Sequence, residues 1–454
     1  MASPSPVRSR ERLDRRAKLT VSLLFGAWLI DYVDRLVINL ALPSIGKEFD
    51  LTRTEQGLTV SVFFLAYALC QIPGGMLADR FGAKRVTCWA LLIWSVFTAM
   101  TGLAGSFAIL LVVRFLFGAA EGIFPGASMK AITERTTPGQ RMSANGIVQS
   151  SNAVGAVLAP LVAAPLIIQF GWRSAFFTVA AVGVFVYAAV QLWLPETDRS
   201  AEGPVPVRAG AAARVVLRSP AMWAFAGMFF GYDIIVWGLN TWVPSYLSEE
   251  RGISLTSAGA LVVFPAVAAA AAIVVGGRLA DRLQGRQRLV VVPAMVVASL
   301  ALVLMATAST TQTFVLWMTV ATTSSSLSYM PVYAVPLRSL PAELTGVGAG
   351  MITFGGQLAG VVAPTAMGAL ADRAGFGAAF GFLVVGAVLA AVLAVTTPQD
   401  TDSFRRALRL PDAPAGDTHR VPAESAALMA PVGSTVTEDP MDPRGTVETE
   451  SEKA

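Results

Sequence analysis

Apolar segments of about twenty residues recur along almost the whole chain, and each is long enough to cross the hydrocarbon core of a membrane as a helix. Short charged turns separate these segments, and two of the turns are near copies. One reads Gly-Met-Leu-Ala-Asp-Arg-Phe-Gly from Gly75, and the other reads Gly-Arg-Leu-Ala-Asp-Arg-Leu-Gln-Gly from Gly277. A second repeat is weaker: Gly155 and Pro160 in the first half correspond to Gly360 and Pro364 in the second. The repetition predicts an all-α membrane protein built from two similar halves.

Composition excludes most other classes of protein. Of the 454 residues, 54% are hydrophobic and 14% are charged, whereas a soluble protein carries roughly a quarter charged residues. The net charge is +4, and the basic residues cluster in particular connections between the apolar segments. This distribution is typical of a membrane orientation signal and does not indicate a nucleic-acid partner. Cys70 and Cys88 are expected to be free buried thiols, and the single histidine, His419, lies in a polar stretch. No metal and no cofactor is therefore predicted.

Windowed hydropathy predicts about twelve transmembrane helices, arranged as two pseudo-symmetric six-helix bundles. The predicted helices lie near residues 20–44, 56–78, 86–104, 107–132, 142–168 and 174–194, and near 220–247, 256–280, 289–309, 312–337, 344–370 and 376–397. The predicted domains are a cytoplasmic segment 1–19, a bundle 20–194, a cytoplasmic linker 195–219, a second bundle 220–397 and a disordered cytoplasmic tail 398–454.

Basic residues set the expected orientation. They collect before the first helix and in the even-numbered connections, for example at Arg80, Lys84 and Arg85, whereas the odd-numbered connections are poor in them. The positive-inside rule then places both termini in the cytoplasm, which requires an even number of spans. We expect a multi-pass protein of the plasma membrane, in particular a bacterial inner membrane, that is in contact with the lipid bilayer and monomeric.

Charged residues inside the predicted spans demand a reason, since each costs about 2.5–3.5 kcal/mol on insertion scales. The first helix holds Asp31, Asp34 and Arg35, and the first and last of these lie one turn apart and can pair. The fourth helix holds Arg114 and Glu121, nearly two turns apart and so on one face. Two helices thus each offer an acid and an arginine to an interior cavity.

These residue types suit the movement of an anion with protons. Arginine can donate two parallel hydrogen bonds to a carboxylate. Arg35 and Arg114 are therefore predicted to bind the substrate. Carboxylic acids in a dry cavity can load and release protons, which predicts Asp34 and Glu121 as proton-coupling residues. A proton gains about 2.3 kcal/mol per 100 mV, enough to drive accumulation. The alternative is that these charges only hold helices together, and for Asp31 a proton-coupling and a structural role stay equally open.

The repeated turns offer a set of candidate gating residues. They lie at cytoplasmic helix ends and are predicted to lock or release the two halves; the set comprises Gly75, Asp79, Arg80, Asp281 and Arg282. The alternative is a turn and helix cap with orientation charges. Separately, Asp233 lies in the middle of the seventh helix and is predicted as a second proton site or ligand contact, or as a carboxylate facing water in the cavity.

The turn Gly75-x-x-x-Asp79-Arg80-x-Gly82 with Lys84-Arg85 closely resembles the loop signature of the major facilitator superfamily. Within it, the first half is similar to the anion:cation symporters, which include sugar-acid, phthalate and sialin-type transporters. The matching segments are Tyr32-Val33-Asp34-Arg35, Phe63-Phe64-x-x-Tyr67-Ala68-x-x-Gln71-Ile72-Pro73-Gly74-Gly75, Arg114-Phe115-Leu116-x-Gly118-x-x-Glu121-Gly122 and Phe124-Pro125. The resemblance covers roughly residues 20–397.

The resemblance implies proton-coupled uptake, with titrating Asp34 and Glu121 positions and anion-attracting Arg35 and Arg114 positions. It also implies cavity contacts from Tyr67 and from Asn152 in the fifth helix. In the eleventh helix the family often has two asparagines, where this chain has Thr353 and Gln357. Gln357 is accordingly predicted as a substrate contact, and the departure bears on which anion is carried.

The leading hypothesis is a secondary active transporter that moves a small organic anion, a sugar acid or an aromatic or aliphatic carboxylate, together with protons by alternating access. The first alternative is a proton-antiporting exporter of drugs or metabolites. Against it, Ala159, Ala163 and Ala164 stand where the later glycines of the antiporter signature would be. The second alternative is a non-transporting ligand sensor of the same fold. An enzyme is not indicated, because no nucleotide loop, metal cluster or nucleophile constellation is present.

Overall fold

The computed structural model describes residues 14–196, 209–283 and 286–408, which are helical over nearly their whole length. The first half contains α1 (Arg15–Phe49), α2 (Arg53–Phe81), α3 (Ala83–Gly102), α4 (Phe107–Arg135), α5 (Pro138–Phe170) and α6 (Trp172–Trp193). The second half contains α7 (Ala209–Arg218), α8 (Pro220–Glu249), α9 (Leu255–Arg282), α10 (Arg288–Ala306), α11 (Thr311–Ser326), α12 (Tyr329–Ser339), α13 (Ala342–Thr396) and α14 (Thr401–Ala407).

These helices account for the twelve predicted spans. Over the described ranges, nine helices are long and apolar enough to cross a membrane. The helix α13 is two helices joined at Gly375, whose φ of 79° breaks the helical path and supplies two spans. The tenth span is divided between α11 and α12, and α1, with its charged residues, is the first. The predicted all-α fold with two six-helix halves is confirmed.

Two short helices lie where no helix was predicted. One is α7, within the predicted linker 195–219, and the other is α14, within the predicted disordered tail 398–454. Phe404 of α14 is fully buried, with its ring 5.9 Å from that of Phe225, so apolar burial orders this part of the tail. Ser403 donates its backbone and hydroxyl hydrogens to Asp400 at the start of α14, and these bonds lower the pKa of the Asp400 carboxyl. Residues 197–208 and 409–454, including His419, lie outside the described residues.

The helices begin and end at residues suited to these positions. Asp14 caps α1 by accepting the Ala17 backbone N–H at 2.6 Å, and Thr52 and Glu55 form a capping box at the start of α2. Between them, Asp50 adopts a left-handed conformation that turns the chain sharply from α1 into α2. Local side chains therefore define the tight connection between the first two spans.

The two repeated prolines, Pro160 and Pro364, form equivalent contacts between the halves. Pro160 of α5 packs against Gly259 of α9, and Pro364 of α13 packs against Gly57 of α2. A side chain on either glycine would meet the facing proline at less than ordinary contact distance. Small residues let helix backbones approach closely. The repeated prolines therefore mark two equivalent contact regions between the halves, one between α5 and α9 and one between α13 and α2; each is called a seam below.

Polar contacts reinforce the seam between α2 and the second half. The Arg53 guanidinium lies 2.9 Å from Glu250 and 3.5 Å from Glu249. Asp372 accepts the backbone N–H groups of Arg53 and Thr54 at 3.0 and 2.9 Å, and the Thr54 hydroxyl at 2.6 Å. These residues lie in or next to odd-numbered connections. The two halves are therefore joined at the end of the bundle that the positive-inside rule predicts to lie away from the cytoplasm.

The Arg53 ion pairs should hold this seam closed. Ser61 of α2 and Thr365 of α13 are hydrogen-bonded across it at 2.8 Å, so cysteines at these two positions report its closure by forming a disulfide. Because partly exposed ion pairs contribute up to about 1 kcal/mol each, we expect Arg53→Gln to lower the disulfide yield several-fold. The matched control is Arg173→Gln, since Arg173 pairs with Glu48 inside the first half. Equal yields in the two variants would contradict the prediction.

Candidate functional site

Arg35 of α1 is the centre of a buried charged cluster. Its guanidinium lies 2.9 Å from Asp31 on the same helix and 3.2 Å from Glu121 on α4. Arg35 is 6% exposed and both carboxylates are fully buried. The predicted pairing of Asp31 with Arg35 is therefore observed, and the pair extends to a second helix.

Glycines on α4 bring Glu121 within reach of Arg35. Gly118 and Gly122 lie against the α2 backbone at Phe63 and Tyr67, where a side chain would collide. The gap between α2 and α4 is thus set by the absence of a Cβ at two positions one turn apart. Their neighbour Glu121 is thereby held facing α1.

An aromatic shell encloses both arginines. The Arg35 guanidinium lies 4.5 Å from the ring centre of Tyr67, and the Arg114 guanidinium lies 4.9 Å from Phe63 and 4.6 Å from Phe117. Cation–π contacts of this kind stabilise a desolvated cation by about 2 kcal/mol. The rings also keep water away from the cluster, which strengthens every charge interaction inside it.

Among the charged side chains of the cluster, Arg114 has the most unused hydrogen-bonding capacity within the described residues. It is 1% exposed, and neither its Nε nor its second terminal nitrogen has a hydrogen-bond partner among the residues described. Its electrostatic neighbours are Asp34 and Glu121, which it does not approach within ion-pair distance over the described chain. Buried donors without partners cost free energy. Arg114 is consequently prepared to receive an acceptor from outside the protein.

Asp34 is held by a residue that the sequence did not suggest. The hydroxyl of Thr98 on α3 donates to Asp34, and the same hydroxyl lies 3.0 Å from the Trp94 carbonyl oxygen. Threonine is common in membrane helices, so its type and position carry no signal of this role. Among the residues that the structure describes, the other carboxylate oxygen of Asp34 is buried without a partner, as is one oxygen each of Asp31 and Glu121.

The remaining predicted contacts are spread over both halves. Tyr67 belongs to the charged cluster, while Asn152 on α5 and Gln357 on α13 each have a buried side-chain oxygen without a partner in the described part of the chain. Asp233 on α8 is buried and its carboxylate lies against Gly356, next to Gln357. The predicted substrate and proton residues thus divide into a first-half set with both arginines and three of the four acids, and a second-half set with Asp233 and Gln357.

The predicted gating residues pair within their own halves. Asp79 lies 2.8 Å from Lys130 of α4, and Asp281 accepts a hydrogen bond from Arg338 of α12. Each aspartate therefore meets a cation on the fourth span of its half, which is the arrangement a duplication should produce.

The other members of the gating set make local contacts. Gly75 packs against Gly126, Arg80 stacks on Phe81 at 5.2 Å and Arg282 is exposed. The gating role stays a prediction.

A crevice of about 410 Å³ between α2 and α13 is not part of this site. Its walls are Leu58, Ser61, Val62, Leu65, Val361, Val362, Thr365 and Ala366, none of them charged. Cys70 and Cys88 are both free thiols, as predicted, but Cys70 is half-buried and only Cys88 is buried as expected. The described residues contain no cluster of three or more histidine, cysteine or acidic side chains that could hold a metal ion.

Comparisons with known proteins agree with this architecture. Residues 23–364 match the family described as Major Facilitator Superfamily. The chain is 33% identical over 386 residues to the probable sulfoacetate transporter SauU of Cupriavidus necator, covering 80% of this chain and 89% of that protein. It is 28% identical over 402 residues to the hexuronate transporter of Bacillus subtilis, covering 83% of this chain and 94% of that protein.

A solved structure shares the fold. It is a bacterial homologue of the human lysosomal transporter Spinster, in an inward-facing and unoccupied conformation. It superposes with a TM-score of 0.71 at 20% identity and covers 87% of this chain and 98% of that one. At this level of identity the likeness concerns the fold alone.

The close approach of α2 and α4 gives a prediction about stability. A Cβ on Gly122 would lie 2.5 Å from the Tyr67 carbonyl oxygen, so Gly122→Ala must separate the helices. Overpacking of this kind costs about 1–3 kcal/mol, and we expect a clear fall in the thermal unfolding temperature of the purified protein. Gly26→Ala is the control, because no atom lies within 4 Å of a Cβ at that position. Equal unfolding temperatures would contradict this packing.

Proposed function

This chain belongs to the Major Facilitator Superfamily, and from that premise we propose that it is a secondary active transporter that carries a small organic anion together with protons by alternating access. The relatives are transporters by name, so the prediction that the chain is not an enzyme is confirmed. Sulfoacetate and hexuronates are organic anions, which supports a cargo of the same class: a sugar acid or another small carboxylate.

One observation carries the anion assignment: Arg114 is fully buried yet has two nitrogens without hydrogen-bond partners in the described residues. An arginine offers a carboxylate two parallel charge-assisted hydrogen bonds. Since Phe63 and Phe117 flank the guanidinium, an incoming anion would be desolvated there, where the attraction is strongest. Arg35 pairs with Asp31 and Glu121 and supplies the second positive charge of the cluster.

The proton assignment rests on the carboxylates around the arginines. Within the described part of the chain, one oxygen of Glu121 accepts from Arg35 and the other has no partner, and Asp34 accepts from Thr98 with one oxygen and has no partner for the other. An anion that takes over an arginine weakens that arginine's hold on a carboxylate, which then favours binding a proton. Substrate and proton would therefore be bound together, as symport requires.

The expected cellular setting follows the sequence predictions. The protein would be a monomer in the plasma membrane, in particular a bacterial inner membrane, with both termini in the cytoplasm. Asp79 and Asp281 would act in gating at the cytoplasmic end, by exchanging partners as the halves rock. A proton-antiporting exporter and a non-transporting sensor remain the alternatives, and counterflow in vesicles separates the sensor from any carrier.

Arg114→Ala should abolish uptake of the anion in reconstituted vesicles. Two hydrogen bonds to a charged group contribute about 3–6 kcal/mol together, so we expect a loss of at least about a hundredfold. Normal insertion and thermal unfolding must be verified in the same preparation. Arg173→Ala, on the surface of the first half, is the control and should keep its activity. Full uptake by the Arg114 variant would disprove the anion-binding role.

Glu121→Gln should uncouple the anion from the proton. The amide keeps the size of the side chain but cannot release a proton, so a proton gradient should no longer concentrate the anion. Exchange of internal for external anion should continue, because it needs no net proton movement. The control is Glu196→Gln, an exposed position 3.9 Å from Lys84. Concentrative uptake at the normal level in the Glu121 variant would refute the coupling role.

A further inference from the structure

Three hydroxyl groups on α3 bond to the backbone of their own helix. Ser95, Thr98 and Thr101 each donate to the carbonyl oxygen four residues earlier, at 2.7, 3.0 and 2.9 Å. All three side chains are buried. Such bonds satisfy a hydroxyl inside a helix without a partner on another helix. A further contact from one of these hydroxyls therefore needs its own explanation.

Thr98 differs from the other two because it has a second acceptor within the described residues. Its hydroxyl is hydrogen-bonded to one carboxylate oxygen of Asp34 on α1 and also lies near the Trp94 carbonyl oxygen. A hydroxyl has one hydrogen to donate, and its oxygen can also accept hydrogen bonds. Thr98 therefore donates to one of the two groups at a time.

The protonation state of Asp34 decides which group receives this hydrogen. An ionised carboxylate only accepts, and it attracts the hydroxyl hydrogen more strongly than a backbone carbonyl does, because charge-assisted hydrogen bonds are roughly twice as strong as neutral ones. A protonated Asp34 has an O–H of its own, which can donate to the Thr98 oxygen while the Thr98 hydrogen turns to the Trp94 carbonyl. Rotation of one hydroxyl thus gives Asp34 a partner in both states.

The charged groups around Asp34 lie on α1 and α4, and all of them act on it through electrostatic interaction: Asp31, Arg35, Arg114 and Glu121. On the neighbouring helices α2 and α8, Tyr67 and Asp233 interact with other residues of α1. Within the described chain, neither arginine forms an ion pair with Asp34, and the hydrogen bond to its carboxylate comes from Thr98. Thr98 is thus the group in direct contact with this carboxylate.

Building on the proposed function, we infer that Thr98 is a positioning residue for the proton site: its hydroxyl holds Asp34 in place in both protonation states and sets the proton affinity of that carboxylate. The bond to the ionised carboxylate is the stronger of the two, so Thr98 makes the proton easier to release. The bond to the protonated carboxyl keeps the side chain in the same place while the proton is carried. A carrier needs both properties, because it loads the proton on one side of the membrane and releases it on the other.

The protonation of Asp34 can be followed by infrared spectroscopy of the full-length protein in lipid vesicles. A protonated carboxyl has a carbonyl stretching band that the ionised carboxylate lacks, and the Asp34 band is identified by its absence from Asp34→Asn. Thr98→Val keeps the shape of the side chain and removes the hydroxyl. We expect half of the band to be present at a pH about one unit higher than in the unmodified protein, because the ionised carboxylate loses the stronger bond. The band should also move to higher frequency, since the neutral carboxyl loses its partner.

Thr98→Ser restores the hydroxyl and should return the midpoint and the frequency to those of the unmodified protein. Thr101→Val is the matched control, because Thr101 is equally buried on the same helix and bonds, within the described residues, to the Phe97 carbonyl. If Thr98→Val does not fold, Thr98→Cys takes its place and should give a smaller shift in the same direction, since a thiol is a weak donor.

An unchanged midpoint in folded Thr98→Val or Thr98→Cys overturns the inference, and so does an equal shift in Thr101→Val. An Asp34 band that does not titrate at any pH at which the protein stays folded also overturns it. These measurements need no anion, so they are independent of Arg114. The proposed function fails on different evidence, namely the absence of proton-driven anion uptake by the unmodified protein.

Discussion

The buried contact between Arg35 and Glu121 is the interaction on which the first half of the molecule depends. Both ions are desolvated, and further contacts of Arg35 offset part of that cost, because it also pairs with Asp31 and stacks on Tyr67. Removing one partner would leave an uncompensated charge in the bundle. The glycines that let α4 approach α2 are part of the same arrangement, because they determine where Glu121 lies.

The duplication extends to the contacts that build the fold but not to the buried charged and phenolic side chains. The halves repeat the Asp-Arg turn, its ion pair with the fourth span of the same half, and the glycine–proline contact with the opposite half. They do not repeat the buried arginines, which occur in the first half, or the tyrosines around Asp233, which occur in the second. The two similar scaffolds thus carry different side chains in their interiors.

The contacts between the halves are polar at the end away from the predicted cytoplasm and become apolar deeper in the bundle. Arg53 and Asp372 meet near the connections, whereas Phe64 and Trp237 meet with their ring centres 4.4 Å apart. Ion pairs that are partly exposed contribute little free energy and can separate at small cost. Contacts of this kind are compatible with two halves that separate and close again. The contact between α2 and α4 within the first half is much tighter, because glycines let the two backbones touch.

Composition and spacing alone determined the helical class, the twelve spans and the duplication, because a bilayer admits few structures and their lengths follow from its thickness. Spacing along one helix also predicted that Asp31 would pair with Arg35 and that Arg114 and Glu121 share a face. Only the tertiary structure decided which groups meet between helices: Thr98 with Asp34, Arg35 with Glu121, and Arg53 with Asp372. The physical reason is that a helix period fixes neighbours within a turn or two, whereas contacts between helices depend on how small residues such as Gly118 and Gly122 set the distance and rotation of whole spans.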